Sequence, residues 1–194
     1  FVNKRIPETS EYDYAVVIEK VVYQYRPGTD DYAVVALDEN NGNMADGKKV
    51  KVRSEILGKP VTEITIHGEF DPPQGRVNLI LPESIRKIQM DECTFKSIRF
   101  PSSFTKKNSE SSVYECTIGK IYLAGKSVYT GNIYQISGLK TMTLPSKLKY
   151  IRAGFLNGST SLEKINIPKQ VTTIGKGAFA GCKNLKIYVP ATVK

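Results

Sequence analysis

Short runs of alternating apolar and polar residues recur along this chain, and most of them stop at a proline. NLILP (78–82), SIRFP (97–101), TMTLP (141–145), KINIP (164–168) and KIYVP (186–190) share the form. KIYLA (120–124) is a degenerate copy, with Ala124 in the proline position. The marks fall at 82, 101, 124, 145, 168 and 190, at spacings of 19, 23, 21, 23 and 22. Alternation with a period of two predicts a strand with one buried face. Recurrence at about 22 residues predicts a repeat architecture. Each unit has one short strand and one arc and cannot bury its apolar face alone, so neighbours stack into a solenoid with a continuous core.

Other positions keep the same phase. Three residues after the mark stand Ile85, Phe104, Leu148, Val171 and Val193, with the third copy slipped by one to Val128. Three further on stand Ile88, Ile151 and Ile174. Val61 and Ile64 in KPVTEI match Val171 and Ile174 in KQVTTI, which places an imperfect coil before the first mark. Cys93, Cys116 and Cys182 each lie eight residues before a mark. Three cysteines in one phase read as small side chains facing the core. Adjacent coils also stack within bridging range, so a Cys93–Cys116 disulfide stays open at this point. Gly175, Gly177 and Gly181 fit neither the dinucleotide fingerprint nor a P-loop. They belong to a connecting arc with Phe179 as its core plug, and Phe155 is expected as the counterpart one coil earlier.

Residues 1–50 read differently. YAVVIEKVVYQY (14–25) and YAVVALD (32–38) are rich in valine and tyrosine and flank RPGTDD, which predicts a β-hairpin or small sheet. A solenoid end needs covering, so 1–50 is expected to be an N-terminal β cap, with a separate small β domain as the alternative, and 51–194 the solenoid. DENNGNMADG (38–47) lacks the EF-hand phase, because Gly42 is fifth and Lys49 replaces the closing glutamate.

Charge adds one feature. The formal net charge is +9 over 194 residues. From Thr141 onward there are nine Lys or Arg against one acid, Glu163, so the excess is concentrated at the C-terminal end. Such an excess favours an anionic partner. No run of 18 apolar residues is present, so no transmembrane segment is expected. The chain begins at Phe1 without methionine, and a signal peptide or lipid anchor is expected to have been removed.

Catalytic chemistry finds little support. His67 is the single histidine, and it follows the strand-like TEITI as a surface turn residue. There is no HExxH motif and no nucleophile elbow. Asp91 and Glu92 are adjacent, so in a strand they would face opposite sides. No catalytic residue, metal site or cofactor is assigned.

The repeat phase instead predicts a surface. Residues one and three before each mark face the core, and those two and four before it face outward. The outward ladder is Asn78/Ile80, Ser97/Arg99, Lys120/Tyr122, Thr141/Thr143, Lys164/Asn166 and Lys186/Tyr188. Stacked strands should make it one continuous sheet. Arg99, Lys120, Tyr122, Lys164, Asn166, Lys186 and Tyr188 are its candidate ligand-binding residues, because tyrosine and arginine anchor interfaces.

VTTIGKGAFAGCKNLKIYVP (171–190) resembles the leucine-rich repeat of the BspA type. The match runs through Val171, Ile174, Gly175, Ala178, Phe179, Gly181, Cys182, Leu185 and Ile187. The resemblance covers about residues 50–194. It is close in the last two coils and loose between 89 and 140, where the A-F-x-G-C element is lost. It implies a right-handed, β-rich leucine-rich-repeat solenoid of about six coils, with short parallel strands and irregular or 3-10 arcs. It also implies placement outside the cell or on its surface, and interaction roles without shared catalytic residues. The expected function is a non-catalytic module, monomeric, recognising a host or bacterial surface protein or glycan through the outward ladder. The alternative is polyanion binding, to an acidic glycan or nucleic acid, through the basic C-terminal quarter. No specific nucleic-acid motif is present.

Overall fold

A computed structural model describes residues 15–37, 47–67 and 77–194. The chain opens with β1 (Ala15–Ile18), β2 (Val21–Arg26) and β3 (Asp31–Leu37). Then come β4 (Lys49–Lys51), β5 (Glu55–Ile56), β6 (Lys59–Ile66), β7 (Asn78–Ile80), β8 (Lys87–Asp91) and β9 (Thr94–Arg99). A 3-10 turn at Ser102–Thr105 precedes β10 (Ser112–Tyr114), β11 (Thr117–Tyr122), β12 (Asn132–Tyr134) and β13 (Thr141–Thr143). The last strands are β14 (Tyr150–Ile151), β15 (Lys164–Asn166), β16 (Thr173–Ile174) and β17 (Lys186–Tyr188). The calcium-loop reading at 38–47 lies almost wholly outside the described residues.

The strands stack as the repeat requires. One face carries a sheet of order β11-β9-β7-β4 and a second of order β13-β15-β17, all parallel. The opposite face carries β6-β8-β10-β12, also parallel, and β14 with β16. Parallel pairing follows from the coil, since each turn brings the chain back in the same direction. β2 is antiparallel to both β1 and β3, and β3 joins the opposite face by lying parallel to β6.

The core is the repeat phase made solid. Leu79, Ile98, Ile121, Met142 and Ile165, three before each mark, are buried, as are Leu81, Phe100, Leu123 and Leu144, one before it. Each buried side chain of this size contributes about 1.5–3 kcal/mol. The same positions in the final coil, Ile187 and Val189, are 39% and 46% exposed, because no further coil covers them among the described residues.

The corners use a left-handed backbone. Glu92, Glu115 and Gln135 have φ of 54°, 53° and 54°, and Gly158 and Gly181 hold the equivalent place at 72° and 76°. Each precedes an inward residue: Cys93, Cys116, Ile136, Ser159 and Cys182. Cys93 and Cys116 are buried and Cys182 is half-buried, and all three are free thiols. The Cys93 amide donates to the Cys116 sulfur at 3.4 Å. Contact with that sulfur and then burial push the Cys93 thiol up.

One expected correspondence shifts. In the last two arcs the left-handed residues are Gly154, Leu156 and Gly158, then Gly177, Phe179 and Gly181. The counterpart of Phe179 is therefore Leu156, and that of Phe155 is Ala178. The reason is coil spacing: Phe155 lies 10 residues past Pro145, and Phe179 lies 11 past Pro168. The two rings still meet edge to face at 6.0 Å. Gly175 is required by packing. A Cβ at Gly175 would stand 2.2 Å from the Ala153 backbone nitrogen, so no side chain fits.

Arg26 fastens the hairpin to the stack. Its guanidinium grips Asp31 with two hydrogen bonds of 2.9 and 2.8 Å and also pairs with Glu63 on β6. Lys87 on β8 reaches Glu63 at 3.2 Å. Burial acts to raise the Asp31 carboxyl, but hydrogen bonds from Arg26, Thr29 and Thr62 outweigh it and the pKa is lowered. Glu63 is lowered in the same way, with Arg26 and Lys87 opposing its burial.

Candidate functional site

The outward ladder takes its form from strands only three to six residues long. Their alternation puts Lys120, Tyr122, Lys164, Asn166, Lys186, Tyr188 and Arg99 on the exposed side. Register aligns them in two rows. Lys49, Asn78, Ser97 and Lys120 form the start of one row, and Lys51, Ile80, Arg99 and Tyr122 the start of the other. In the second sheet the rows run Thr141, Lys164, Lys186 and Thr143, Asn166, Tyr188. The Arg99 guanidinium sits over the Tyr122 ring at 4.8 Å.

Two details differ from expectation. The ladder is not one continuous sheet: strand pairing is interrupted between β11 and β13. Ser97 is only 8% exposed. Its hydroxyl donates to Asn78 Oδ1 at 2.6 Å, and Asn78 in turn donates to the Gly47 carbonyl at 2.8 Å.

Sequence reasoning missed Lys49 and Lys51. They extend both rows by one strand, since Lys49 pairs in register with Asn78 and Lys51 with Ile80. The signal was the alternation in KVKV (49–52), whose valines are buried. It was hidden because Arg53 stands where proline would be, 29 residues before Pro82.

The outward positions of these strands carry Lys49, Lys51, Arg99, Lys120, Lys164 and Lys186 and no aspartate or glutamate. The nearest acid in sequence, Glu163, lies 4.0 Å from Lys140. The result is a cationic face with short hydroxyl and amide side chains between the charges.

The opposite face differs in kind. His67 Nδ1 lies 2.5 Å from Asp91 Oδ1, so the expected surface histidine has a defined partner. Tyr114 and Tyr134 stack at 5.2 Å and are nearly parallel. Nearby, the short coil that ends at Pro101 leaves an open depression of about 570 Å³ beneath the following arc, lined by Glu83, Ser84, Arg86 and Lys106 among others. The Ser84 hydroxyl is buried there with no hydrogen-bond partner. Among the described residues no helix is long and apolar enough to cross a membrane.

A model of the BspA type leucine rich repeat region matches in six copies across residues 76–186. A leucine-rich repeat protein of T. pallidum has a similar structure, with a TM-score of 0.53 and 20% identity, over 88% of this chain and 79% of that one. A leucine-rich cell surface protein of Faecalibacterium prausnitzii aligns with a TM-score of 0.44 and 15% identity, over 95% of this chain and 51% of that one. A comparison of the sequence with curated proteins gives no significant match.

Proposed function

The chain belongs to the BspA-type leucine-rich repeat family, and from that premise we propose that it is a non-catalytic recognition module acting outside the cell or at its surface. Its partner is a protein or glycan of a host or bacterial surface. The observation that carries this reading is the exposed ladder, in which cations and tyrosines share one strand face. Paired strands fix the backbone positions of these side chains relative to one another, so binding orders side-chain rotamers but not the backbone. The family supports a binding role, and no described residue is assigned a catalytic one.

The test replaces Arg99, Tyr122, Lys164 and Tyr188 together, with binding to a panel of host proteins and glycans as the readout. All four are exposed, so the fold should survive. Loss of a specific interaction supports the proposal, and unchanged binding to every identified partner sinks it. The second reading, polyanion binding through the basic C-terminal quarter, draws on the exposed Lys176 and Lys183. It predicts affinity that falls steeply with salt and survives the four-residue change.

A further inference from the structure

We propose that the ladder binds a linear acidic polysaccharide laid across the strands along the solenoid axis, with Lys49 and Lys51 as its first contact. This rests on the recognition reading above and names its ligand class. The charges are grouped in three. Lys49 and Lys51 share β4, Arg99 and Lys120 lie on the neighbouring β9 and β11, and Lys164 and Lys186 lie on β15 and β17. A strand without charge separates each group from the next: β7, with Asn78 and Ile80, and β13, with Thr141 and Thr143. Paired strands lie about 4.8 Å apart, so an extended polymer can follow the first two groups on one sheet and reach the third across the break between β11 and β13.

Three observations favour an acidic glycan. First, none of these cations has a carboxylate partner among the described residues. Their charge is therefore available to carboxylate or sulfate groups. Second, Thr141, Thr143 and Asn166 are exposed and make no described side-chain hydrogen bond, which suits the hydroxyls of a sugar chain. Third, the face lacks what competing partners need. The core of a protein interface is depleted in lysine, whereas the outward rows carry lysine on four of the seven strands, and their two tyrosines lie on separate sheets. A single-stranded nucleic acid needs successive stacking rings, yet Arg99 already covers one face of Tyr122 and leaves Tyr188 alone at the far end.

The experiment is calorimetric titration of the full chain with heparin oligosaccharides of increasing length, repeated across salt. A DNA oligonucleotide serves as the phosphate polymer, and circular dichroism confirms folding of every variant. Affinity should rise with length until the oligosaccharide spans β4 to β17 and then level off. The variant Lys49→Ser/Lys51→Ser should bind about three- to tenfold more weakly, as expected for two exposed charge contacts. It should also level off at a shorter length, and its salt slope should fall by about one per lysine. Lys176→Ser/Lys183→Ser, off the ladder, should change little. Equal losses in the two variants would overturn the proposal in favour of diffuse charge. So would tighter binding to DNA than to heparin with the same dependence on the ladder. If heparin does not bind even at low salt, but a protein partner is lost on the four-residue change, the ligand class is wrong and the surface reading stands. If both fail, the surface reading fails too.

Discussion

The coils closed at Pro101, by Ala124 and at Pro145 and those closed at Pro168 and Pro190 solve one problem in two ways. In the earlier coils the arc runs as a strand, β8, β10 or β12, and turns inward at a left-handed Glu92, Glu115 or Gln135. In the later coils the strand shrinks to two residues, and a pair of tight turns follows, with glycines at 154 and 158 and at 177 and 181. Both routes deliver a residue to the same inward position. The comparison shows that the A-F-x-G-C element is one way of making the corner. What these five coils share is the positive φ before the inward residue. A glycine meets it without steric cost, and any other residue adopts it at roughly 1 kcal/mol.

The contrast can be broken most forcefully at Gly175. Gly175→Ala should cost about 3 kcal/mol or more, because the added carbon meets the backbone of Ala153, which cannot move aside. Gly131→Ala in the strand-built half meets the Phe104 ring instead and should cost about 1–3 kcal/mol. Urea unfolding monitored by circular dichroism checks both. Phe104→Leu should restore part of the Gly131→Ala loss, whereas trimming Ala153 to glycine should restore none of the Gly175→Ala loss.

Acid should separate the halves next. Asp31 and Glu63 have pKa values depressed below their ordinary 3.8 and 4.5. Their contribution is present above those ordinary values and is lost as pH falls through the depressed ones. Arg26→Ala should cost about 2–3 kcal/mol at neutral pH, below the ~3–5 kcal/mol of a fully buried pair because Arg26 is partly exposed. The gap between variant and parent should close below roughly pH 4. From Thr141 onward the only acid is Glu163, which is exposed, so that half should keep its hydrogen-exchange protection through the same range. Loss of protection in both halves together would show that the two unfold as one unit.

The smallest effects test the corner itself. Glu92→Gly and Glu115→Gly should stabilise by at most about 0.6 kcal/mol, since glycine relieves the left-handed strain but gains freedom in the unfolded chain. Gly158→Ala should destabilise by about 1–2 kcal/mol, because its added carbon also presses on the Gln135 side chain at 3.0 Å. Opposite signs in thermal denaturation would confirm that the two halves share one backbone requirement.

Much of this was legible from spacing alone. Proline marks and period-two alternation located β7, β9, β11, β13, β15 and β17, and the common phase of Cys93, Cys116 and Cys182 pointed them inward. What escaped notice depended on distance across the stack. β4 has no proline to announce it, and its partner β7 lies almost thirty residues away in the chain. The left-handed corners at Glu92, Glu115 and Gln135 are invisible to propensity, because neither glutamate nor glutamine favours that conformation. The break between β11 and β13 leaves no mark in the alternation on either side. The ladder residues could be named from phase, but what they bind could not, since an outward lysine reads the same whether it meets water or a polymer.

The orientation of the backbone hydrogen bonds has a mechanical consequence. They join one coil to the next, so they point along the solenoid axis and not across it. Tension applied along that axis therefore loads them one coil at a time, in the manner of a zip, instead of shearing many at once. A coil with a neighbour on one side only, as the one that carries Ile187 and Val189 has among the described residues, is held by half as many of these bonds as a coil inside the stack. A stack built in this way yields under pull by paying out chain coil by coil.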